Sequence, residues 1–292
     1  FRRVLFRSKE QVTFPIRAFF GDLLERPRRT KAYPIALLNQ NINLDQLLAI
    51  NNAMKYPLAY IQGPPGTGKT NTILNTIVTA FFNNMTVLFA SYNNVPINNV
   101  FEKLSSLTYK GKRVAFPVLR LGNQEKVKEC ICYINQLRRE VHGIKVFSST
   151  LDRRKGDRID RAKQLSGRLK EYEEVLDLTE RKETLTQVME YQERMKNVAT
   201  LFHFHTDLQG RQLRNLDEKI QKIGEISERD AMALLDRNED EFYSYLYYTS
   251  AKYIKELESN RFQDLRKILD DDEDVNEQAA AFNKYLQKSE NV

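Results

Sequence analysis

The residues GPPGTGKT at positions 63–70 have the composition and spacing of a loop that binds phosphate. A glycine is followed after four residues by Gly-Lys-Thr, which completes the phosphate-loop pattern. Glycines let backbone N–H groups turn towards the β-phosphate, and a helix that starts behind the loop adds the positive end of its dipole. We expect Lys69 to reach the β- and γ-phosphates of a nucleoside triphosphate and the Thr70 hydroxyl to bind Mg²⁺, which makes these two the predicted catalytic residues. The predicted nucleotide-binding residues of this stretch are Gly63, Pro64, Pro65, Gly66, Thr67, Gly68, Lys69, Thr70 and Asn71.

Short apolar runs indicate the strands that would position this loop. LAYIQ at 58–62, TVLFA at 86–90 and VAFPVLRLG at 114–122 have the composition of buried strands. Helical patterns lie between them. Strands that alternate with helices predict an α/β fold with a parallel sheet.

Helices are predicted on both sides of the first strand. One begins near Asn43, where either Asn43 or Asp45 can cap its first turn. Another covers 68–82 and places Ile73, Ile77 and Phe81 on one face.

Composition limits the class of protein. The chain has 292 residues, of which 41% are apolar and 29% charged, and this is the composition of a globular protein. No run approaches the roughly 18 uninterrupted apolar residues of a membrane span, so no membrane partner is predicted. Cys130 and Cys132 are too close for an unstrained disulfide, and the three histidines add no zinc-site spacing. Reduced thiols predict an intracellular, cytoplasmic protein.

Charge is distributed unevenly along the chain. Residues 9–150 contain 18 Lys and Arg against 8 Asp and Glu, whereas residues 151–292 contain 25 against 31. A basic first half is compatible with a nucleic-acid surface there. The basic cluster ERPRRTK at 25–31 is either a solvated linker or a phosphate contact.

The first eight residues, FRRVLFRS, suggest a different origin from the rest. They correspond to a translation of TTC AGA CGT GTG CTC TTC CGA TCT, the end of a common short-read sequencing adapter. Our hypothesis is that residues 1–8 are a library artefact and that the biological chain begins near Lys9. The alternative is a basic amphipathic start.

Residues from about 150 onwards have the pattern of long helices. Leu165, Leu169, Tyr172 and Leu176 follow helical spacing, and Leu213 begins a similar series that continues to Ile223. This pattern predicts either an antiparallel helical hairpin or a single solvated extension.

The residues before the loop extend its pattern into a family resemblance. INLDQLLAINNA followed by AYIQGPPGTGKTNTI resembles the opening of superfamily I helicases, in the branch of senataxin and the nonsense-mediated-decay RNA helicase. That family carries a Q motif, whose places are filled here by Ile42, Asn43, Gln46, Ala49 and Ile50. The resemblance implies that Gln46 contacts the adenine of ATP, since an amide donates and accepts in one plane. It therefore implies ATP and Mg²⁺ as cofactors.

Two further stretches resemble the family's nucleic-acid path. VLFASYNNVPINNVFEKL resembles motif Ia, and VLRLGN resembles the element that follows it. The resemblance implies nucleic-acid contacts by Asn94 and Asn98, although Asn98 and Tyr92 replace the usual aspartate and proline. Arg120 is interpreted either as a nucleic-acid contact or as a residue that supports the core.

The resemblance also implies a domain plan, a partial RecA-like P-loop NTPase sheet with a long helical insertion. No Walker B motif is found, because KILDDDEDV at 267–275 places only Ile268 and Leu269 before its carboxylates. We interpret it as an exposed acidic turn and expect an N-terminal fragment that ends before Walker B. The predicted segments are an artefact at 1–8, a basic lead-in at 9–35, the first part of the RecA-like domain at 36–149, a stalk-like insertion at 150–260 and an acidic return at 261–292.

These features predict the ATP-binding portion of a helicase that translocates on single-stranded DNA or RNA. A protein partner is expected at the stalk, and the fragment alone is expected to hydrolyse ATP poorly or not at all. Two alternatives stay open. One is a P-loop ATPase that acts on protein, as chaperone-like ATPases do, and the other is a non-catalytic coiled-coil module with a vestigial nucleotide site.

Overall fold

The structure is a computed structural model that describes residues 32–38, 41–146, 148–195, 206–223, 228–235, 239–259, 262–269 and 274–289. Over these residues the chain is mainly helical and divides into two compact units. The first unit takes in the described residues of Phe1–Met85 and Arg158–Leu235, and the second takes in those of Thr86–Asp157 and Asp236–Val292. The adapter-like segment 1–8 and the basic cluster 25–31 lie outside the described residues.

Helices account for most of the described residues, and the sheet found among these residues is a small two-stranded hairpin. The hairpin consists of β1 (Thr108–Tyr109) and β2 (Lys112–Arg113), paired antiparallel. The helices are α1 (Leu44–Lys55), α2 (Lys69–Phe82), α3 (Asn94–Ser105), α4 (Gln124–Val141), α5 (Ser148–Met195), α6 (Thr206–Ile223), α7 (Glu228–Ala233), α8 (Glu239–Glu256), α9 (Gln263–Ile268) and α10 (Val275–Ser289).

Helix α1 begins with a capping box, so the predicted helix is confirmed and its cap is Asn43. The Asn43 side chain accepts a hydrogen bond from the Gln46 backbone N–H at 2.9 Å, and the Gln46 side chain accepts one from the Asn43 N–H at 3.3 Å. The two bonds satisfy donors that a helix start leaves without partners. This cap places Gln46 in the first turn of α1.

The core of the first unit lies between α1, α5 and α7. Leu47 and Ile50 of α1 are fully buried against Leu165 and Leu169 of α5, with Ala231 of α7 in the same cluster. Two polar contacts extend this packing. Tyr172 donates to Asp45 Oδ1 at 2.8 Å, and Asn52 donates to Glu173 Oε1 at 3.1 Å.

Part of the apolar series on α5, which was interpreted either as one side of a helical hairpin or as a solvated extension, packs on α1. The first two residues of the series, Leu165 and Leu169, make this contact, and Leu176 is 41% exposed. Contact between α5 and α6 includes an ion pair between Lys182 and Asp217 at 2.6 Å. Periodicity shows which face of a helix is apolar and leaves the partner of that face open, so α1 could not be inferred as the partner of Leu165 and Leu169.

The second unit is built around α4. Val127, Ile131 and Ile134 of this helix pack against Ala279 and Phe282 of α10. The C-terminal part of α4 packs against α8 in a second cluster that contains Leu137, Val141, Ala251 and Ile254. Amphipathic spacing thus gives α4 two buried contacts.

The predicted parallel sheet is not present among the described residues. The segments 58–62, 86–90 and 114–122 lie outside strands, and the first two are exposed, with Tyr60 at 86% and Leu88 at 91%. In the third segment the N–H of Phe116 donates to the carbonyl of Val114, two residues back, at 2.8 Å. A strand is defined by hydrogen bonds to a neighbouring strand, and an apolar sequence pattern does not supply that neighbour.

Membrane-spanning length and apolarity do not occur together in any helix of the described residues. The longest helix, α5, has 48 residues and a charged, polar sequence.

Candidate nucleotide site

The loop before α2 has the backbone that its glycines predict. Gly66 and Gly68 have φ angles of 85° and 77°, in the left-handed region that side chains disfavour. Within the turn, the Thr67 hydroxyl donates to the Pro64 carbonyl at 2.8 Å. Gly68 is the N-cap of α2, so the positive end of this helix adjoins the loop.

Lys69 lies over the same loop. Its ammonium donates to the carbonyls of Gly63 at 2.8 Å and Pro64 at 2.7 Å, in an exposed position. A phosphate group in the loop would compete with these carbonyls for the ammonium, because charge-assisted bonds to an anion are stronger than bonds to a neutral acceptor. The Lys69 ammonium therefore contacts the loop that is predicted to bind phosphate.

Gln46 joins α1 to the loop. Its Nε2 donates to the Thr67 carbonyl at 2.8 Å, while its Oε1 accepts from Asn43 in the capping box. An amide has two N–H groups and two acceptor lone pairs, so one of each stays available for a base edge. A Cβ at Gly68 would lie only 2.8 Å from Nε2, so this contact also requires glycine at that position.

The remaining predicted loop residues lie at the edge of this arrangement. Pro65 and Thr70 are exposed, and Thr70 is the second residue of α2. The Asn71 side chain donates to the Asn41 carbonyl at 3.3 Å. The donor set fits a triphosphate with Mg²⁺, since loop N–H groups and an ammonium suit phosphate and a hydroxyl suits the metal. Among the described residues, no group of three or more His, Cys, Asp or Glu side chains forms a separate metal site.

The three residues predicted to contact nucleic acid are brought together in the second unit. The Arg120 guanidinium donates to Asn94 Oδ1 at 2.8 Å and to Asn98 Oδ1 at 3.1 Å. Both asparagines are exposed on α3, and Asn94 is its first residue. Arg120 thus supports the exposed start of α3, where the side chain of Tyr92 is fully exposed as well.

Comparison with known proteins gives the family. A family model described as an AAA domain matches residues 41–290, which are most of the chain. The chain belongs to this family. Together with the helicases among its relatives, the match also places the chain in the superfamily I helicase family, in the branch of senataxin and the nonsense-mediated-decay RNA helicase. A P-loop NTPase fold is implied by this membership. No solved structure matches the chain significantly.

The similar proteins are much longer than this chain. DNA-binding protein SMUBP-2 of Mus musculus is 31% identical over 99 residues, which are 34% of this chain and 9% of that protein. The DNA replication ATP-dependent helicase/nuclease JHS1 of Arabidopsis thaliana is 31% identical over 124 residues, 38% of this chain and 9% of the relative. The DNA polymerase alpha-associated DNA helicase A of Saccharomyces cerevisiae is 27% identical over 143 residues, 48% and 19% of the two chains. This chain therefore spans less than a fifth of these relatives.

The sequence did not predict some of the contacts that hold the loop and the helices next to it. It did not predict the hydrogen bond from Gln46 to the Thr67 carbonyl. It also did not predict that buried polar residues of α2 make hydrogen bonds to the segment before α1. Asn75 and Thr79 are both 0% exposed. Their signal was the spacing of polar residues every four positions in a helix that is otherwise largely apolar.

Proposed function

We propose that this chain is the ATP-binding part of a motor that moves along single-stranded DNA or RNA. The observation that carries the proposal is the loop itself, with two left-handed glycines, the Lys69 ammonium over its carbonyls and Gln46 bonded to its backbone. Loop N–H groups and Lys69 would bind the phosphates, Thr70 would bind Mg²⁺ and Gln46 would contact adenine. Bound Mg²⁺ would supply charge neutralisation between the β- and γ-phosphates.

Nucleic acid is the proposed track because of the second unit. The exposed Asn94 and Asn98 form one polar cluster with the half-buried Arg120, and Tyr92 beside it offers an aromatic face on which a base can stack. The names of the relatives describe DNA-binding proteins and helicases, which supports a polynucleotide over a protein substrate.

Hydrolysis by this chain alone is proposed to be slow or absent. Activation of water needs an acidic pair behind a buried strand, and no described strand ends in such a pair. Ile268 is the last residue of the helix α9, which agrees with the interpretation that this segment is not a Walker B strand. Because ATP, Mg²⁺ and polynucleotides occur together inside cells, we infer an intracellular site of action, in the cytoplasm.

The long helix α5 is the proposed contact for a protein partner. Its exposed apolar side chains include Leu176, Val188 and Tyr191, which are 41%, 41% and 64% exposed. Such side chains contribute to protein interfaces when they lie together on one surface.

Nucleotide binding tests the proposal. A fluorescent ATP analogue should bind the chain in the presence of Mg²⁺, and Lys69→Ala should weaken binding about tenfold or more, since a charge-assisted hydrogen bond contributes about 1.5–3 kcal/mol. Lys163→Ala is the matched control, because Lys163 is an exposed lysine of the same unit that pairs with Asp160. Absence of binding by the unaltered chain, or equal binding by Lys69→Ala, would refute the proposed role of the loop.

A further inference from the structure

One face of α2 holds the segment that leads into α1. Four polar side chains occur at intervals of four residues, three within this helix and the fourth at its C-cap, Asn83, and each makes a hydrogen bond to main-chain atoms of residues 34–38 or of Asn41. The bonds are Asn71 to the Asn41 carbonyl at 3.3 Å, the Leu38 N–H to Asn75 at 2.9 Å, the Ala36 N–H to Thr79 at 3.1 Å, Thr79 to the Ala36 carbonyl at 3.0 Å and Asn83 to the Pro34 carbonyl at 2.9 Å.

The spacing of these bonds follows from chain geometry. Four residues of an α-helix rise about 6 Å, and two residues of an extended chain advance about 6.6 Å. Polar residues at every fourth position of α2 and its C-cap can therefore meet every second residue of the segment 34–38, as Asn75, Thr79 and the C-cap Asn83 do. In these five bonds the partner of each polar side chain is a main-chain atom, so the bonds depend on the path of the segment and not on its side chains.

Burial increases the contribution of these hydrogen bonds to stability. Asn75 and Thr79 are 0% exposed, and Ala36, which is bonded to Thr79, is 7% exposed. A buried polar group without a partner is unfavourable by about 1–3 kcal/mol, so the segment and the helix each satisfy groups that the other would leave unpaired. The contact is therefore specific for one path of the chain.

The same segment also contacts the core under α1. Its other residues, Ile35 and Leu37, pack against the cluster that contains Leu47 and Ile50. The segment thus joins α2, which begins at the loop, to α1, whose Gln46 is bonded to the loop carbonyl of Thr67.

We propose that Asn75 and Thr79 are positioning residues of the nucleotide site. By fixing the segment 34–38 between α2 and the core of the first unit, they hold α1 at the distance that keeps the Gln46 amide on the loop. The loop is then ordered before the nucleotide arrives, which reduces the entropy lost on binding. This inference rests on the proposed function, in which the loop binds ATP.

Thr79→Val tests the role of the hydroxyl, because valine keeps the shape and removes both hydrogen bonds to Ala36. We expect ATP to bind about three- to tenfold more weakly, as the loss of about one hydrogen bond would produce. Thr79→Ser should restore binding, since serine keeps the hydroxyl. Thr76→Val is the matched control, because the Thr76 hydroxyl donates within the same helix, to the Thr72 carbonyl at 2.8 Å.

Hydrogen exchange without nucleotide provides a second readout. Thr79→Val should speed exchange both in 34–38 and in the loop 63–68, whereas Thr76→Val should change neither. Faster exchange confined to 34–38, or unchanged ATP binding by folded Thr79→Val, would overturn the proposal. If Thr79→Val does not fold, the less buried Asn83→Ala should show the same two effects to a smaller degree, and their absence would overturn it equally.

The two proposals fail in different ways. If the unaltered chain does not bind ATP, the proposed function fails, and exchange in the loop of Thr79→Val still decides whether the segment positions the loop. If the unaltered chain binds ATP and Thr79→Val binds it equally well, the loop function stands and the positioning role of Thr79 is refuted.

Discussion

Replacement of Gly68 by alanine should disturb the loop in two separable ways. The first is backbone strain, because Gly68 has a φ of 77° and a left-handed conformation is unfavourable for alanine by about 1–2 kcal/mol. The second is a collision, because the new Cβ would lie 2.8 Å from Gln46 Nε2 and displace the amide from Thr67. Loss of that hydrogen bond adds about 0.5–1.5 kcal/mol. Gly68→Ala should therefore lower the free energy of unfolding by about 1.5–3.5 kcal/mol in total.

Gly66→Ala separates the two effects. Gly66 has a φ of 85°, and a Cβ there would meet nothing within 4 Å, so this variant carries the strain alone, about 1–2 kcal/mol. A double-mutant cycle with Gln46→Ala isolates the collision. Gly68→Ala should be less destabilising in the Gln46→Ala background, with a coupling of about 0.5–1.5 kcal/mol.

The free energies would be measured by urea unfolding followed by circular dichroism, with ATP-analogue binding measured on the same variants. Binding should weaken more for Gly68→Ala than for Gly66→Ala. The reasoning is wrong if Gly66→Ala and Gly68→Ala are equally destabilised and Gln46→Ala leaves the effect of Gly68→Ala unchanged. The contact between the Gln46 amide and the loop would then not require glycine at position 68.

Three further predictions concern the second unit, one on Arg120 and two on Cys130. In a filter-binding assay, Arg120→Ala should weaken binding of single-stranded DNA or RNA about fivefold, as the loss of one phosphate contact would. The control Arg139→Ala removes an exposed charge from the same unit and should change binding by less than about twofold. Equal losses for the two variants would mean that only net charge matters. Burial raises the pKa of the Cys130 thiol to about 12, so iodoacetamide at pH 8 should alkylate the exposed Cys132 and spare Cys130 until urea is added, as fragment-ion mass spectrometry can establish. Because the folded state keeps that proton, the free energy of unfolding should fall by about 1 kcal/mol per pH unit from about 9 towards 12, and a pH-independent unfolding curve in this window would contradict the assignment.

Local chemistry made the loop and its flanking helices readable from the sequence. Glycines at 66 and 68 take the left-handed angles that their lack of a side chain permits. Asn43 caps α1, and α2 begins where the loop ends. These features depend on residues within one or two turns of each other, which is the range that a sequence pattern reports. The family resemblance is confirmed over residues 41–290.

Tertiary packing decided what lay beyond that range. The pattern of α2 indicated an apolar face of Ile73, Ile77 and Phe81, whereas the residues of α2 that are most buried include the polar Asn75 and Thr79. Hydrophobicity alone classes such residues as exposed, and only a partner 37 or 43 positions away makes their burial favourable. A single sequence carries no signal for that partner.

The sequence by itself therefore determined the chemistry of the phosphate loop, since the capacity to turn and to bind an anion belongs to a few adjacent residues. Only the tertiary structure decided that Gln46 is bonded to that loop, that Arg120 joins Asn94 and Asn98, and that the apolar segments 58–62 and 86–90 are exposed. The physical reason is the same in each case. A hydrogen bond or a buried contact needs two groups, and residues far apart in sequence show which groups they offer without showing which ones they meet.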